Sequence, residues 1–190
     1  MQEVTKMNSL ELLNEGKVRL ASGHPEESID LFSKAAEEGC NPVAVYLNRG
    51  AALMVMKMYK EAEADFDRVL ENDEDNERAL YYRGIAHMAA GEYKEAISDL
   101  NGSLKQNHNR GVAFLARGIA YAETGMDEEA MADFKNATVL SNIEVEGFMN
   151  LFGSNRSQFY RTMALLEGER GPWKIVLNEG EVEKLKNWLE

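Results

Sequence analysis

Apolar positions recur along the chain in short blocks at helical spacing. In the stretch LNRGAALMVM, Leu47, Gly50, Ala51 and Met54 fall at i, i+3, i+4 and i+7, the periodicity of one helix face. A second block, YKEAEADF at Tyr59 to Phe66, returns as YKEAISDL at Tyr93 to Leu100, an interval of 34 residues. The same step leads forward to DEEAMADF at Asp127 to Phe134 and back to PEESIDLF at Pro25 to Phe32. Self-similarity at a fixed period of this size marks a stacked-repeat architecture. It divides the chain into units 9–42, 43–76, 77–110 and 111–144.

Each unit is predicted to be helix, turn, helix. The turns fall around Gly23, Lys57, Gly91 and Gly125, and Pro25 stands in the first turn of a second helix, where its missing N–H costs nothing. Two further columns are small at every step: Gly16, Gly50, Gly84 and Gly118, and Ser28, Ala62, Ala96 and Ala130. Small residues facing each other predict two helices in close approach.

These residues resemble the tetratricopeptide repeat family, whose pattern runs aromatic, Leu-Gly, Tyr, Ala, Phe, Pro. In the second unit the corresponding residues are Tyr46, Arg49-Gly50, Leu53, Ala62 and Phe66. The resemblance covers Ser9 to Glu144 and implies an all-α fold, a right-handed α-α superhelix of four helix-turn-helix repeats. The closing proline is replaced by Cys40, Glu74, His108 and Asn142, with Pro42 near the first of them. Over 145–168 the register continues through Phe148, Leu151 and Phe152 and then breaks, and a half-repeat with a final amphipathic helix is expected to cap the array. The sequence GERGP at Gly168 to Pro172 ends the repeat domain, and 169–190 is expected to be an amphipathic tail, with Asn178 and Glu181 as a capping box.

In this family the first helix of each unit lines a concave groove. The matching positions here are Leu13 and Lys17, then Leu47, Asn48, Ala51 and Met54, then Arg78, Tyr81, Tyr82, Ile85 and Met88, then Leu115 and Ile119. The resemblance thus implies an apolar groove containing methionine and tyrosine, suited to an amphipathic helix or an extended peptide of a partner protein. A specialised form of the fold grips the C-terminal carboxylate of a chaperone through Lys and Asn, then Asn, then Lys and Arg. Those places hold Leu13 and Lys17, Asn48, and Arg78 and Tyr82, so Asn48 agrees fully and Arg78 in charge, and the chaperone co-factor role is disfavoured. Lys17, Asn48 and Arg78 together remain suited to one acidic group on a ligand.

A further pattern emerges when the units are superposed. Arg49 and Asp65, Arg83 and Asp99, and Arg117 and Asp133 are each 16 residues apart, and in the first unit both partners change together, to Glu15 and Leu31. The paired loss predicts a bridge between the two helices of one unit.

Charge narrows the range of partners. Asp plus Glu number 33 against 21 Lys plus Arg, a net charge of -12, which repels nucleic-acid phosphates and anionic membrane surfaces. Cys40 is the single cysteine, and His24 in the first unit and His87 and His108 in the third have no metal-ligand spacing, so no metal or cofactor is expected. The first ten residues do not read as a signal peptide, and a cytoplasmic location is expected. Neither a phosphate loop nor a nucleophile with a base and an orienting group is found, and an enzyme is not expected. Two functions follow: an adaptor that binds a partner segment in its groove, or a self-assembling protein whose C-terminal segment fills its own or a neighbour's groove.

Overall fold

The computed structural model describes residues 7–140, all of whose regular elements are helices. The expected half-repeat and cap at 145–168 and the tail at 169–190 lie outside the described residues. The chain forms two compact units, Met1–His108 and Asn109–Glu190. The first contains α1 (Ser9–Ala21), α2 (Pro25–Glu37), α3 (Pro42–Val55), α4 (Tyr59–Asn72), α5 (Glu77–Ala90) and α6 (Tyr93–Gln106). The second contains α7 (Gly111–Glu123) and α8 (Asp127–Leu140).

Local chemistry sets the helix ends. Asn8 caps α1 by accepting from the backbone N–H of Leu10 and Glu11, while Glu11 accepts in return from the N–H of Asn8, a complete capping box. Asn41 and Asn76 cap α3 and α5 in the same way, each through an N–H three residues on. Pro25 and Pro42 open α2 and α3. The first helix of every repeat ends in a Schellman motif: the N–H groups of His24, Met58, Glu92 and Met126 bond back to the carbonyls of Arg19, Leu53, His87 and Tyr121.

That motif needs one residue with left-handed backbone. Gly23, Gly91 and Gly125 supply it at φ near 80°, but the second repeat uses Lys57 at φ 60°. A Cβ there meets the following carbonyl and costs about 1 kcal/mol. Lys57→Gly is therefore expected to raise unfolding stability by about 0.5–1 kcal/mol, read as a higher urea midpoint with an unchanged slope. An unchanged or lower midpoint would show that the Lys57 backbone carries no strain.

In the first unit each helix packs on its successor, and the first helices α1, α3 and α5 also touch in sequence. Among the described residues of this unit, two core clusters each span two repeats. Leu12 and Leu13 of α1, Phe32 and Ala35 of α2, and Val45 and Ala52 of α3 form one cluster. Leu47 and Leu53 of α3, Ala62, Phe66 and Val69 of α4, and Ala79 of α5 form the next. Because each cluster takes helices from two repeats, burial itself enforces stacking. Within each pair the small-residue column allows the approach: a Cβ on Gly16 would stand 2.5 Å from the Phe32 ring, and one on Gly50 2.5 Å from the Phe66 ring. In the second unit α7 packs on α8, and a Cβ on Gly118 would stand 2.7 Å from Phe134.

Candidate functional site

The structure sorts the expected groove residues by exposure. Leu13, Leu47, Tyr81, Ile85 and Met88 are buried in the first unit, as are Leu115 and Ile119 in the second. Leu13 packs in the cluster with Phe32 and Leu47 in that with Phe66, so these two hold repeats together and expose only 3% and 8% of their surface. Asn48, Ala51, Met54 and Tyr82 are half-buried, and Lys17 and Arg78 are exposed. In the first unit the physical reason is the stacking itself, since α3 meets its own second helix α4, α2 of the preceding repeat and the next first helix α5.

What stays accessible on the first helices of the first unit is therefore more polar than the composition of those positions suggests. Lys17 on α1 and Arg78 on α5 make no hydrogen bond or ion pair among the described residues. Between them in sequence, Asn48 on α3 donates Nδ2 to the Ala44 carbonyl at 2.6 Å, which leaves its amide oxygen available. Tyr82 stacks on Phe66 with ring centroids 5.7 Å apart and meets Tyr81 edge-on at 5.2 Å, which fixes the ring from two sides.

The arginine–aspartate pairs bridge the two helices of one repeat. Nε and Nη2 of Arg49 donate to both carboxylate oxygens of Asp65 at 2.7 Å, those of Arg83 to Asp99 at 2.7 Å, and those of Arg117 to Asp133 at 2.7 and 2.8 Å. This fork-to-fork geometry is the strong form of the interaction. Asp65, Asp99 and Asp133 are buried and their arginines half-buried. The hydrogen bond to Asp65, opposed by burial, raises Arg49 above its ordinary range. Arg83 is raised chiefly by its bond to Asp99; for Arg117 burial is the largest single influence and lowers it, but the hydrogen bond and charge of Asp133 with the nearby Tyr121 together outweigh it and raise it.

A third arm escaped the sequence reading. Arg49 Nη1 donates to the hydroxyl of Ser33 at 3.0 Å, and Arg83 Nη1 to Asp67 at 2.7 Å. Both acceptors lie on the second helix of the preceding repeat, so each arginine joins three helices and two repeats. The signal was present, because polar residues stand 16 positions before Arg49 and Arg83 just as aspartates stand 16 after them. Arg49 also lies 5.2 Å from the centre of the Tyr46 ring, and Arg68 lies 4.9 Å from it. In the first repeat, where Glu15 replaces the arginine, Glu15 instead accepts from Arg19 at 2.8 Å along its own helix.

Two titratable groups stand apart from this ladder. His87 on α5 points Nδ1 at Glu92, 2.7 Å away, and Nε2 at Asp99, 3.6 Å away. On α7, Glu123 has a buried Oε1 without a hydrogen-bond partner among the described residues, and burial pushes its carboxyl above the usual range. No helix among the described residues is long and apolar enough to cross a membrane.

Comparison with known proteins agrees with this geometry. Two family models described as tetratricopeptide repeat match the chain, at residues 43–76 and 78–107. No curated protein matches in sequence. Among solved structures, MamA 41-end from Desulfovibrio magneticus RS-1 is similar at TM-score 0.67 and 22% identity, covering 83% of this chain and 92% of that one. YrrB, described as a TPR protein with an unusual peptide-binding site, is similar at TM-score 0.64 and 21% identity, covering 86% and 88%. The first TPR of Spaghetti (RPAP3), solved bound to an HSP90 peptide, is similar at TM-score 0.60 and 22% identity, covering 62% and 96%. At such identities the likeness speaks to fold. Residues 43–76 and 78–107 are thus tetratricopeptide repeats, and the eight helices among the described residues keep that repeat register in a fold shared with these solved structures.

Proposed function

We propose that this chain is a protein-interaction module whose first-helix face on α1, α3 and α5 binds an amphipathic or extended segment of a partner protein, with an acidic group of that segment meeting Lys17, Asn48 and Arg78. The carrying observation is the pair of uncommitted cations, Lys17 and Arg78, on first helices of a chain with net charge -12. A positive charge kept without an internal partner is available to an external one, and at contact range it favours an acidic group on this face despite the overall negative charge. Half-buried Ala51, Met54 and Tyr82 provide the apolar and aromatic contact area beside them, over a floor that includes Leu13, Leu47, Tyr81, Ile85 and Met88. Leu115 and Ile119 occupy the same repeat positions on α7. Two of the similar structures carry peptide-related descriptions, which is consistent with this use of the fold but does not identify a ligand.

Selection from a displayed random-peptide library tests the reading. Binders enriched in Asp and Glu beside apolar residues are expected, and Lys17→Glu with Arg78→Glu should weaken the best of them about 10-fold, since two exposed charge contacts contribute about 1.4 kcal/mol together. Binders without acidic residues, or binders held equally well by the double variant, would contradict the proposed role of these cations.

A further inference from the structure

The deepest unexplained polar arrangement is centred on His87. Its ring is largely buried, with the side chain 12% exposed, and each nitrogen faces a carboxylate from a different direction. On the Nε2 side stands Asp99, which the bidentate grip of Arg83 fixes in place. Glu92 stands on the Nδ1 side, and one ligating atom each of His87, Glu92 and Glu63 lies within 4.8 Å of the others. Glu63 comes from α4, His87 from α5, and Glu92 from the residue that opens α6. Three donors of metal-ligating chemistry therefore converge from three successive elements and two repeats.

We propose that Glu63, His87 and Glu92 bind a divalent transition-metal ion of the zinc class, through Nδ1 of His87 and one oxygen from each carboxylate. The donor set is one imidazole and two carboxylates, which suits zinc and leaves one tetrahedral position for water. Donors about 2.0–2.2 Å from zinc stand about 3.4 Å apart, so the 2.7 Å gap between Nδ1 and Glu92 must open slightly and Glu63 must swing in. Both adjustments fall on flexible glutamate side chains, one of them 46% exposed. Asp99 adds an independent element of design. A ligating histidine holds its ring by directing its other nitrogen to a carboxylate, and Asp99 stands where that carboxylate is needed, itself anchored outside the donor set. Bound there, the ion would cross-link the second and third repeats.

Titration calorimetry of the full chain with zinc chloride, joined to thermal unfolding, tests the proposal. The wild type is expected to bind one equivalent and to unfold at a higher temperature with zinc present. Glu63→Gln alters a carboxylate that makes no hydrogen bond or ion pair among the described residues and should leave the metal-free melting temperature unchanged while weakening binding at least about 10-fold. His87→Gln should weaken it as much or more, whereas His24→Gln and His108→Gln should not. Cobalt chloride provides a direct readout, since its visible absorption reports coordination at the site and should be lost in Glu63→Gln. No heat and no thermal shift in the wild type, or binding retained in both Glu63→Gln and His87→Gln, would overturn the assignment.

Discussion

Arg83→Ala is expected to destabilise the protein by about 3 kcal/mol, the lower end of the cost of stranding one partner of a buried ion pair. The loss has two parts. Asp99, 6% exposed, keeps its charge in a site built to receive a guanidinium, and the link from α5 back to Asp67 on α4 disappears. Removing the carboxylate as well should therefore recover part of the loss, so Arg83→Ala with Asp99→Ala is expected to be more stable than Arg83→Ala alone. A double-mutant cycle by urea unfolding measures this coupling. Arg49→Ala should cost less, about 2 kcal/mol, because the Arg68 guanidinium already lies 3.8 Å from Asp65 and can move onto it. Equal, negligible costs for Arg83 and Arg49 would mean that the ladder is held for a ligand rather than for the fold.

Gly50→Ala is expected to cost about 2 kcal/mol, although alanine is the better helix former by about 1 kcal/mol. The added methyl would stand 2.5 and 2.8 Å from two atoms of the Phe66 ring, which is completely buried and stacked on Tyr82, so it has nowhere to move. In the third repeat the conflict is smaller but remains, since there a Cβ on Gly84 would stand 2.9 Å from the nearest side-chain atom of Leu100. Phe66→Leu should destabilise the wild type yet partly restore Gly50→Ala. This reversal of sign separates steric conflict from a simple change of helix propensity. If Gly50→Ala were neutral or stabilising, the close approach of α3 and α4 would not be what the glycine column serves.

How much could be read in advance follows from whether an interaction repeats at a fixed step. The glycine column, the facing column of large apolar residues Phe32, Phe66, Leu100 and Phe134, and the Arg49–Asp65 type of pair recur at the same interval, and each occurrence reports a similar local geometry. The contacts of Arg49 with Ser33 and of Arg83 with Asp67 recur too, but with changed acceptors, so the pattern is visible only once the helices are placed. Exposure along the first helices was less legible. Lys17, Ala51 and Ile85 share one repeat position yet are exposed, half-buried and 3% exposed, because burial depends on what packs beside each repeat and not on register alone. The approach of Glu63 to His87 joins residues 24 positions apart in different repeats, and no local spacing encodes it. Lys57 carries the turn geometry of its glycine counterparts without their residue type, which shows that the surrounding helices, rather than the turn residue, decide the backbone there.

The most direct test of the account is backbone-amide chemical-shift mapping of the isotope-labelled chain, titrated with the strongest library-selected peptide. The account predicts that the perturbed amides cluster on α1, α3 and α5, around Lys17, Asn48, Ala51, Met54, Arg78 and Tyr82, with the outward positions of α2, α4 and α6 unchanged. Perturbations confined to α2, α4 and α6, with Lys17 and Arg78 unmoved, would contradict it.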